Sequence, residues 1–370
     1  MGRAMGKRIA ICMTAVIALL ASLAGPVPAE GQLSKGKGDL RVMTYNADEG
    51  TDFLEIQHAT NLNAFLVAVG QTITQVRATN PPSRMQALAR QILAAKPALV
   101  SLQELDQWSS GPFDPVAQQC GTLTLEFDML QELLAALAAQ GGSYEVAVQG
   151  KQYDIQAPGL ILPSTFVCIH AINLVSILAR TDLDPSKFHW SNAQSAQYVA
   201  RNIFSIPGIV QFPAPRAWVS VEAKFHHETF RFIGTHLDSD NATVRRQQGN
   251  ELRAGAANTS LPVIIAMDSN AQAAPSPQDP TYVDFITAGY SDVWSEIFPA
   301  APGFTCCQAQ LVNNPMSQLS RRIDLILTLG NSGAQNIALF GADQASKTPD
   351  GLWPSDHAGV AAQLVVKATE

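Results

Sequence analysis

Apolar residues along this chain fall into two rhythms. Short apolar runs bounded by turn residues read as strands, and longer stretches with apolar positions three and four apart read as helices. The two kinds alternate, which predicts an α/β fold. Asp39 to Tyr45 (DLRVMTY) and Ala98 to Gln103 (ALVSLQ) read as buried strands. Leu54 to Thr79 and Ser83 to Lys96 have helical spacing, the second opening after Pro81-Pro82. Leu125 to Gln140 is amphipathic and stops at Gly141-Gly142, as a helix does. Strand patterns then dominate: Tyr144 to Val148, Ile172 to Ala179, Ala217 to Phe225 and Thr229 to Thr235, the last two joined as a hairpin through His226-His227-Glu228. Thr243 to Ala257 and Tyr282 to Ala288 read as helices, and Pro262 to Met267, Arg322 to Leu329 and Gly359 to Val366 as strands. The Pro/Gly-rich stretches 109–122 and 271–281 read as surface loops, and no repeat or linker divides the chain. A single domain over residues 30–370 is the expectation.

The N-terminus follows neither rhythm. Arg3, Lys7 and Arg8 precede an apolar stretch from Ile9 to Leu23, and Val27-Pro28-Ala29 supplies small residues for cleavage. This is the layout of a secretory signal over residues 1–29. A retained anchor is the alternative, but Gly25, Pro26 and Pro28 end the stretch short of the ~20 residues a span needs. A secreted or periplasmic location is expected.

Composition adds two constraints. Of 370 residues 46% are apolar and 15% charged, enough for a substantial core and unlike a disordered chain. Losing residues 1–29 removes three positive charges and no negative one, taking the formal charge from −7 to −10. Such a balance argues against a protein whose main task is gripping phosphate backbones, without excluding a nuclease. Cys120, Cys168, Cys306 and Cys307 remain, enough for up to two disulfides, with three connectivities possible. Their spacing is poor for a metal site.

The candidate chemistry lies where apolar strands run into polar ends. Thr44-Tyr45-Asn46, Leu102-Gln103-Glu104, Gly234-Thr235-His236-Leu237-Asp238, Met267-Asp268-Ser269-Asn270, Arg322-Ile323-Asp324 and Ser355-Asp356-His357 all show this. Burying such groups costs several kcal/mol unless they are paired or hold a metal. Six in one chain suggest ends that converge.

In their order and separation these motifs resemble the endonuclease/exonuclease/phosphatase superfamily, which is deoxyribonuclease I-like. That family runs through a strand ending in Asn, then Q-E, T-H, G-D-x-N, R-[IL]-D and S-D-H. The match spans Arg41 to Val366. It departs at Met267, where the family has Gly, and in insertions near 52–82 and 108–163. The resemblance implies an α/β (α+β) four-layer sandwich of two mixed sheets flanked by helices. It also implies metal ligation by Asn46, Glu104 and Asp356, with Mg²⁺ (or Mn²⁺ or Ca²⁺) as the ion. His236, Asp268, Asn270, Asp324 and His357 take catalytic roles. His357 pairs with Asp324, Asp268 and Asn270 orient the attacking water, and His236 bonds a phosphoryl oxygen. Either Asp268 or His357 serves as base.

Other features rank lower. Asp238 reads equally as support or surface, His226 and His227 as non-ligands, and Arg245-Arg246 and Arg321-Arg322 as solvated. Arg216 opens a strand within reach of a phosphate. Ile203 to Phe212 (IFSIPGIVQF) reads first as a core hairpin and second as a lipid- or ligand-facing loop. The expected function is that of a secreted, metal-dependent phosphoesterase, a diesterase first, working as a monomer without an obligate protein partner. Its substrate is a nucleic acid, a phospholipid or a small phosphoester. An extracellular nuclease and a sphingomyelinase-like phospholipase C are the alternatives, and a non-catalytic envelope interaction protein on the same scaffold is the reading from another class. No G-x-S-x-G elbow supports a serine hydrolase.

Overall fold

The computed structural model describes Leu33 and residues 40–366 apart from Pro207 and Asn331. The expected signal segment, 1–29, lies outside the described residues. Two large mixed sheets stack face to face. The first has the order Ser332–Phe340, Gly359–Val366, Leu40–Asn46, Leu99–Gln103, Thr165–Arg180, Gln107–Asp114, Gln119–Cys120. Thr124–Asp128 also pairs with Gln107–Asp114, and Tyr144–Ile161 with Thr165–Arg180. The second runs Ser291–Asp292, Asp324–Leu329, Val263–Asp268, Glu228–His236, Ala217–Phe225, Phe188–Gln197.

Alternation within these strands sends one set of side chains between the sheets. Val42, Leu99 and Ile177 of the first meet Val219, Phe232 and Ile264 of the second in one buried cluster. The opposite faces are covered by helices. Pro81–Ala95 and Met129–Ala139 pack on the first sheet through Leu88, Ile92 and Leu133. Ala242–Ala254 and Pro280–Thr287 pack on the second through Leu252, Tyr282 and Phe285. The four layers expected from the sequence are therefore present.

Several expectations are corrected. The long helix over 54–79 breaks into Leu54–Gln57 and Leu62–Ala78, because the Asn61 side chain accepts from the Ala64 N–H and starts a new helix. The helix from Leu125 starts later, at Met129. Asp128 caps it by accepting from the Gln131 N–H, and Thr124–Asp128 is drawn into a strand. Part of the expected 109–122 loop is the strand Gln107–Asp114, which pairs with Gln119–Cys120 on one side and Thr165–Arg180 on the other; the disulfide Cys120–Cys168 joins those two flanking strands. Arg245 and Arg322 are buried rather than solvated, in ion pairs with Asp279 at 2.9 Å and Asp292 at 2.5 Å.

The insertions fold onto one end of the sandwich. Helix Leu62–Ala78 lies against Tyr144–Ile161 where two glycines meet. A Cβ on Gly70 would stand 2.3 Å from the Leu160 carbonyl oxygen, and one on Gly159 would stand 2.8 Å from the Gly70 nitrogen. Alanine in place of glycine inside a helix normally adds about 1 kcal/mol of stability. Here the contact reverses the sign, and Gly70→Ala should lose about 1–3 kcal/mol. A melting temperature equal to or above the parent's, followed by circular dichroism, would contradict this packing.

Candidate active site

Register brings the polar strand ends to one edge. Leu40–Asn46 and Leu99–Gln103 are parallel, with Asn46 opposite Gln103, so Asn46 and Glu104 leave the first sheet together. Glu228–His236 and Val263–Asp268 are also parallel, ending with His236 opposite Asp268. Asp324 opens an antiparallel strand directly opposite Asp268. Gly359–Val366 runs antiparallel to Leu40–Asn46, so Asp356 and His357, just before its start, arrive at the same edge. Gly234 lets the two sheets close up near this edge, since a Cβ there would stand 2.5 Å from Ser101 Oγ.

Asn46 ties the halves together. Its Nδ2 donates to Glu104 Oε1 at 2.9 Å and to Asp268 Oδ2 at 3.0 Å, one carboxylate from each sheet. Asp268 Oδ1 accepts from the Asn270 N–H at 2.9 Å. Asn270 takes a positive φ of 49°, so the turn falls after the strand; Met267 lies within the strand and is fully buried. Local geometry thus survives the absence of a glycine at 267.

Two histidines face this pair in different electrostatic states. His357 Nδ1 lies 2.8 Å from Asp324 Oδ2, and its Nε2 stands 3.9 Å from Asp268 and 3.8 Å from Asp356. Burial alone would lower its pKa, but Asp324, Asp356 and Asp268 outweigh burial and raise it well above the usual imidazole range. His236 is different. Arg216 Nη1 sits 3.0 Å from its Nδ1, and burial followed by the Arg216 charge holds its pKa well below the ordinary value. The ring is therefore neutral, with Nδ1 accepting from Arg216 and the proton on Nε2. That Nε2 lies 3.4 Å from Asp268 Oδ2 and 3.7 Å from Glu104 Oε1. The Asn270 amide is 3.0 Å from the same atom, the end it presents being set by the tautomer.

All eight residues expected from the sequence thus meet at one edge. Asp238 does not join them: its Oδ1 accepts from the Asp240 and Asn241 N–H groups and shapes the entry to a helix. Arg216, ranked low from the sequence, is part of the site. Asp48 and Glu49, to which the sequence assigned no role, also line the site. Asp48 is buried, and its Oδ2 forms an ion pair with Arg84 Nη1 at 3.4 Å, without hydrogen-bond geometry. Burial raises its pKa, with the Glu104 charge adding to the effect. Burial and then Glu104 push Glu49 up to about 8. Glu49 Oε2 contacts the Tyr153 hydroxyl and accepts from Asn173 Nδ2 at 3.0 Å. The i,i+2 step from Asn46 to Asp48 was the available signal for the first; Tyr153 and Asn173 reach the site only through the tertiary fold.

This donor set fits a hard divalent cation. Asp48, Glu104 and Asp356 offer carboxylate oxygens, as such ions require, while the Asn46 oxygen accepts from the Asp48 N–H at 2.9 Å and its amide nitrogen positions Glu104. Burial raises the pKa of Asp356 well above its ordinary value, and Asp48 and Glu104 add to the rise against His357 and Arg84. A cation held there would relieve that repulsion. Cys306 and Cys307 form a disulfide with each other at the rim, where Arg321 Nη2 lies 3.4 Å from both sulfurs.

No protein-family model matches the sequence, and no curated protein matches it. Solved structures do match. An endonuclease/exonuclease/phosphatase family protein from Bacteroides thetaiotaomicron aligns over 89% of this chain and 98% of its own, with TM-score 0.55 and 17% identity. A mannosyl-6-phosphatase from the same organism covers 88% and 99%, at TM-score 0.51 and 17% identity. D. rerio TDP2 complexed with single strand DNA product covers 89% and 99%, at TM-score 0.50 and 17% identity. On architecture and on these alignments together, the chain has the fold of the endonuclease/exonuclease/phosphatase proteins.

Proposed function

We propose that this chain is an exported hydrolase of phosphate esters, a diesterase first, dependent on a divalent cation such as Mg²⁺. One observation carries the reading: a single amide, Asn46, holds a carboxylate from each sheet, and two histidines in opposite charge states face them. The neighbours of the same fold include a mannosyl-6-phosphatase and a TDP2 bound to a DNA product, so that fold is used on phosphate esters. Export rests on the N-terminal pattern and is supported by the Cys120–Cys168 disulfide, which suits an oxidising compartment.

Glu104 and Asp356, joined by Asp48, would hold the cation, with Asn46 positioning Glu104. When bound, it neutralises charge on the phosphoryl oxygens. The remaining work belongs to the chain. Asp268 is fixed by Asn46 and the Asn270 N–H. Burial and the neighbouring Asp324 raise its pKa, which makes it the stronger base once ionised. It takes the proton as the water oxygen bonds to phosphorus in line with the departing ester oxygen. His357, kept protonated by Asp324, is unsuited to accept that proton. It donates instead to an oxygen of the phosphoryl group, opposite the Nε2–H of neutral His236. Arg216 keeps His236 neutral and adds positive charge at the rim.

Two measurements test this reading. Purified protein should cleave at least one of bis(4-nitrophenyl) phosphate, 4-nitrophenyl phosphate, sphingomyelin, RNA or plasmid DNA when Mg²⁺ is supplied, and none after chelation. Glu104→Gln and His357→Ala should each lose about 100-fold or more in kcat. Cleavage of no ester, or undiminished variants, would overturn the proposal. The second concerns pH. Raised by Asp324, the His357 pKa sets the alkaline limb of the kcat/KM profile, with activity present below it and lost above. Asp324→Asn removes the attraction that holds the proton, so that limb should move to lower pH. An unmoved limb would remove His357 from the donor role.

A further inference from the structure

The cavity that contains the site does not end at it. It encloses about 800 Å³, within the range of small-molecule sites, and its lining passes from the carboxylates into an apolar part of the same chamber. That part is walled by Phe53, Phe65, Val69, Ile169, Phe204 and Phe212. Its outer wall is the hairpin Asn202–Ile206/Val210–Ala214, which pairs with neither large sheet. A lone two-stranded hairpin is marginal in water. This one is held by burial of Ile206 in a cluster with Phe65, Val69 and Ile169. Phe204 and Phe212 face each other across its strands with ring centroids 4.9 Å apart. Leu54 and Leu62, at 44% and 61% exposure, add exposed apolar surface to the cavity lining.

The charges discriminate among substrates. Arg216 and Arg321 are the cavity's basic lysine- or arginine-type residues, while Asp48, Glu49, Asp52, Glu104, Asp240, Asp268 and Asp356 also line it. A polynucleotide presents a row of phosphates and is held by several Lys and Arg. Here one phosphate-sized polar pole adjoins a long apolar space. We propose that the substrate is a phosphate ester carrying an aliphatic chain, of lipid class, with the chain lying against Phe53, Phe204 and Phe212. This rests on the phosphoesterase reading and adds the substrate class to it. Water adds to phosphorus, one P–O ester bond breaks, and the departing oxygen leaves with a proton as an alcohol.

Binding of n-alkylphosphonates with one, four, six and eight carbons, each below its micelle concentration, tests this by calorimetry with Mg²⁺ present. Affinity should rise about four-fold per added methylene until the chamber is filled. The double variant Phe204→Ser/Phe212→Ser should bind methylphosphonate as the parent does but lose the dependence on chain length. Should that hairpin variant melt early, Phe53→Ser on the opposite wall carries the same expectation. Equal affinity along the series, or a dinucleotide that binds more tightly than octylphosphonate, overturns the lipid inference while leaving the phosphoesterase reading intact. Failure of every phosphonate to bind, methylphosphonate included, together with no ester cleavage overturns both.

Discussion

Everything in this site depends on a register of strands that forces carboxylates of two sheets into the reach of one amide. Asn46 and Asp268 are separated by more than half the chain, yet Asn46 Nδ2 donates to Asp268 at 3.0 Å and to Glu104 at 2.9 Å. Such crowding of buried acids is unfavourable in isolation. It is tolerated because three kinds of positive or donating group oppose it. Arg84 sits under Asp48, Arg216 behind His236, and the protonated His357 between Asp324, Asp268 and Asp356. The balance is incomplete, as the buried Asp324 Oδ1, without a hydrogen bond, records. A cation bound among the carboxylates would complete it.

The two histidines illustrate how environment divides labour between identical side chains. Both rings are buried within 4 Å of Asp268, yet one has a guanidinium against Nδ1 and the other a carboxylate. The first is held neutral and the second charged. The same division extends to the cavity. Its floor is made by strand ends of the sandwich, while its far wall is made by the inserted helix, the long hairpin 144–180 and the small hairpin 202–214. The polar strand ends thus belong to the sheets and the apolar lining to the additions around them.

Much of this was legible in the sequence because strand ends leave a local signal. T-Y-N, Q-E, T-H, R-I-D and S-D-H each break an apolar run, and the strand Gly359–Val366 was bounded as found. The segment 203–212 stood out as apolar around a turn; in the fold its strands form a hairpin that lines the cavity, with Ile206 buried in a core cluster. What stayed hidden had a physical reason. Phe188–Gln197 edges its sheet with most of its length exposed, and Ser332–Phe340 edges the other with a bulge between Ala334 and Asn336 that breaks its alternation. Arg216 has no motif; the antiparallel pairing of Trp218 with Thr235 brings the residue just before that strand against His236. Glu49 gave no signal because its partners, Tyr153 and Asn173, are more than 100 residues away in sequence.

The proposed cation site between the sheets is tested most directly by anomalous diffraction from crystals soaked in Mn²⁺, with Glu104→Gln crystals as the comparison. One strong peak is expected within bonding distance of the Glu104 carboxylate, adjoining Asp48 and Asp356, that weakens or disappears in the variant. A peak elsewhere, or none at saturating Mn²⁺ in an otherwise unchanged structure, would contradict it.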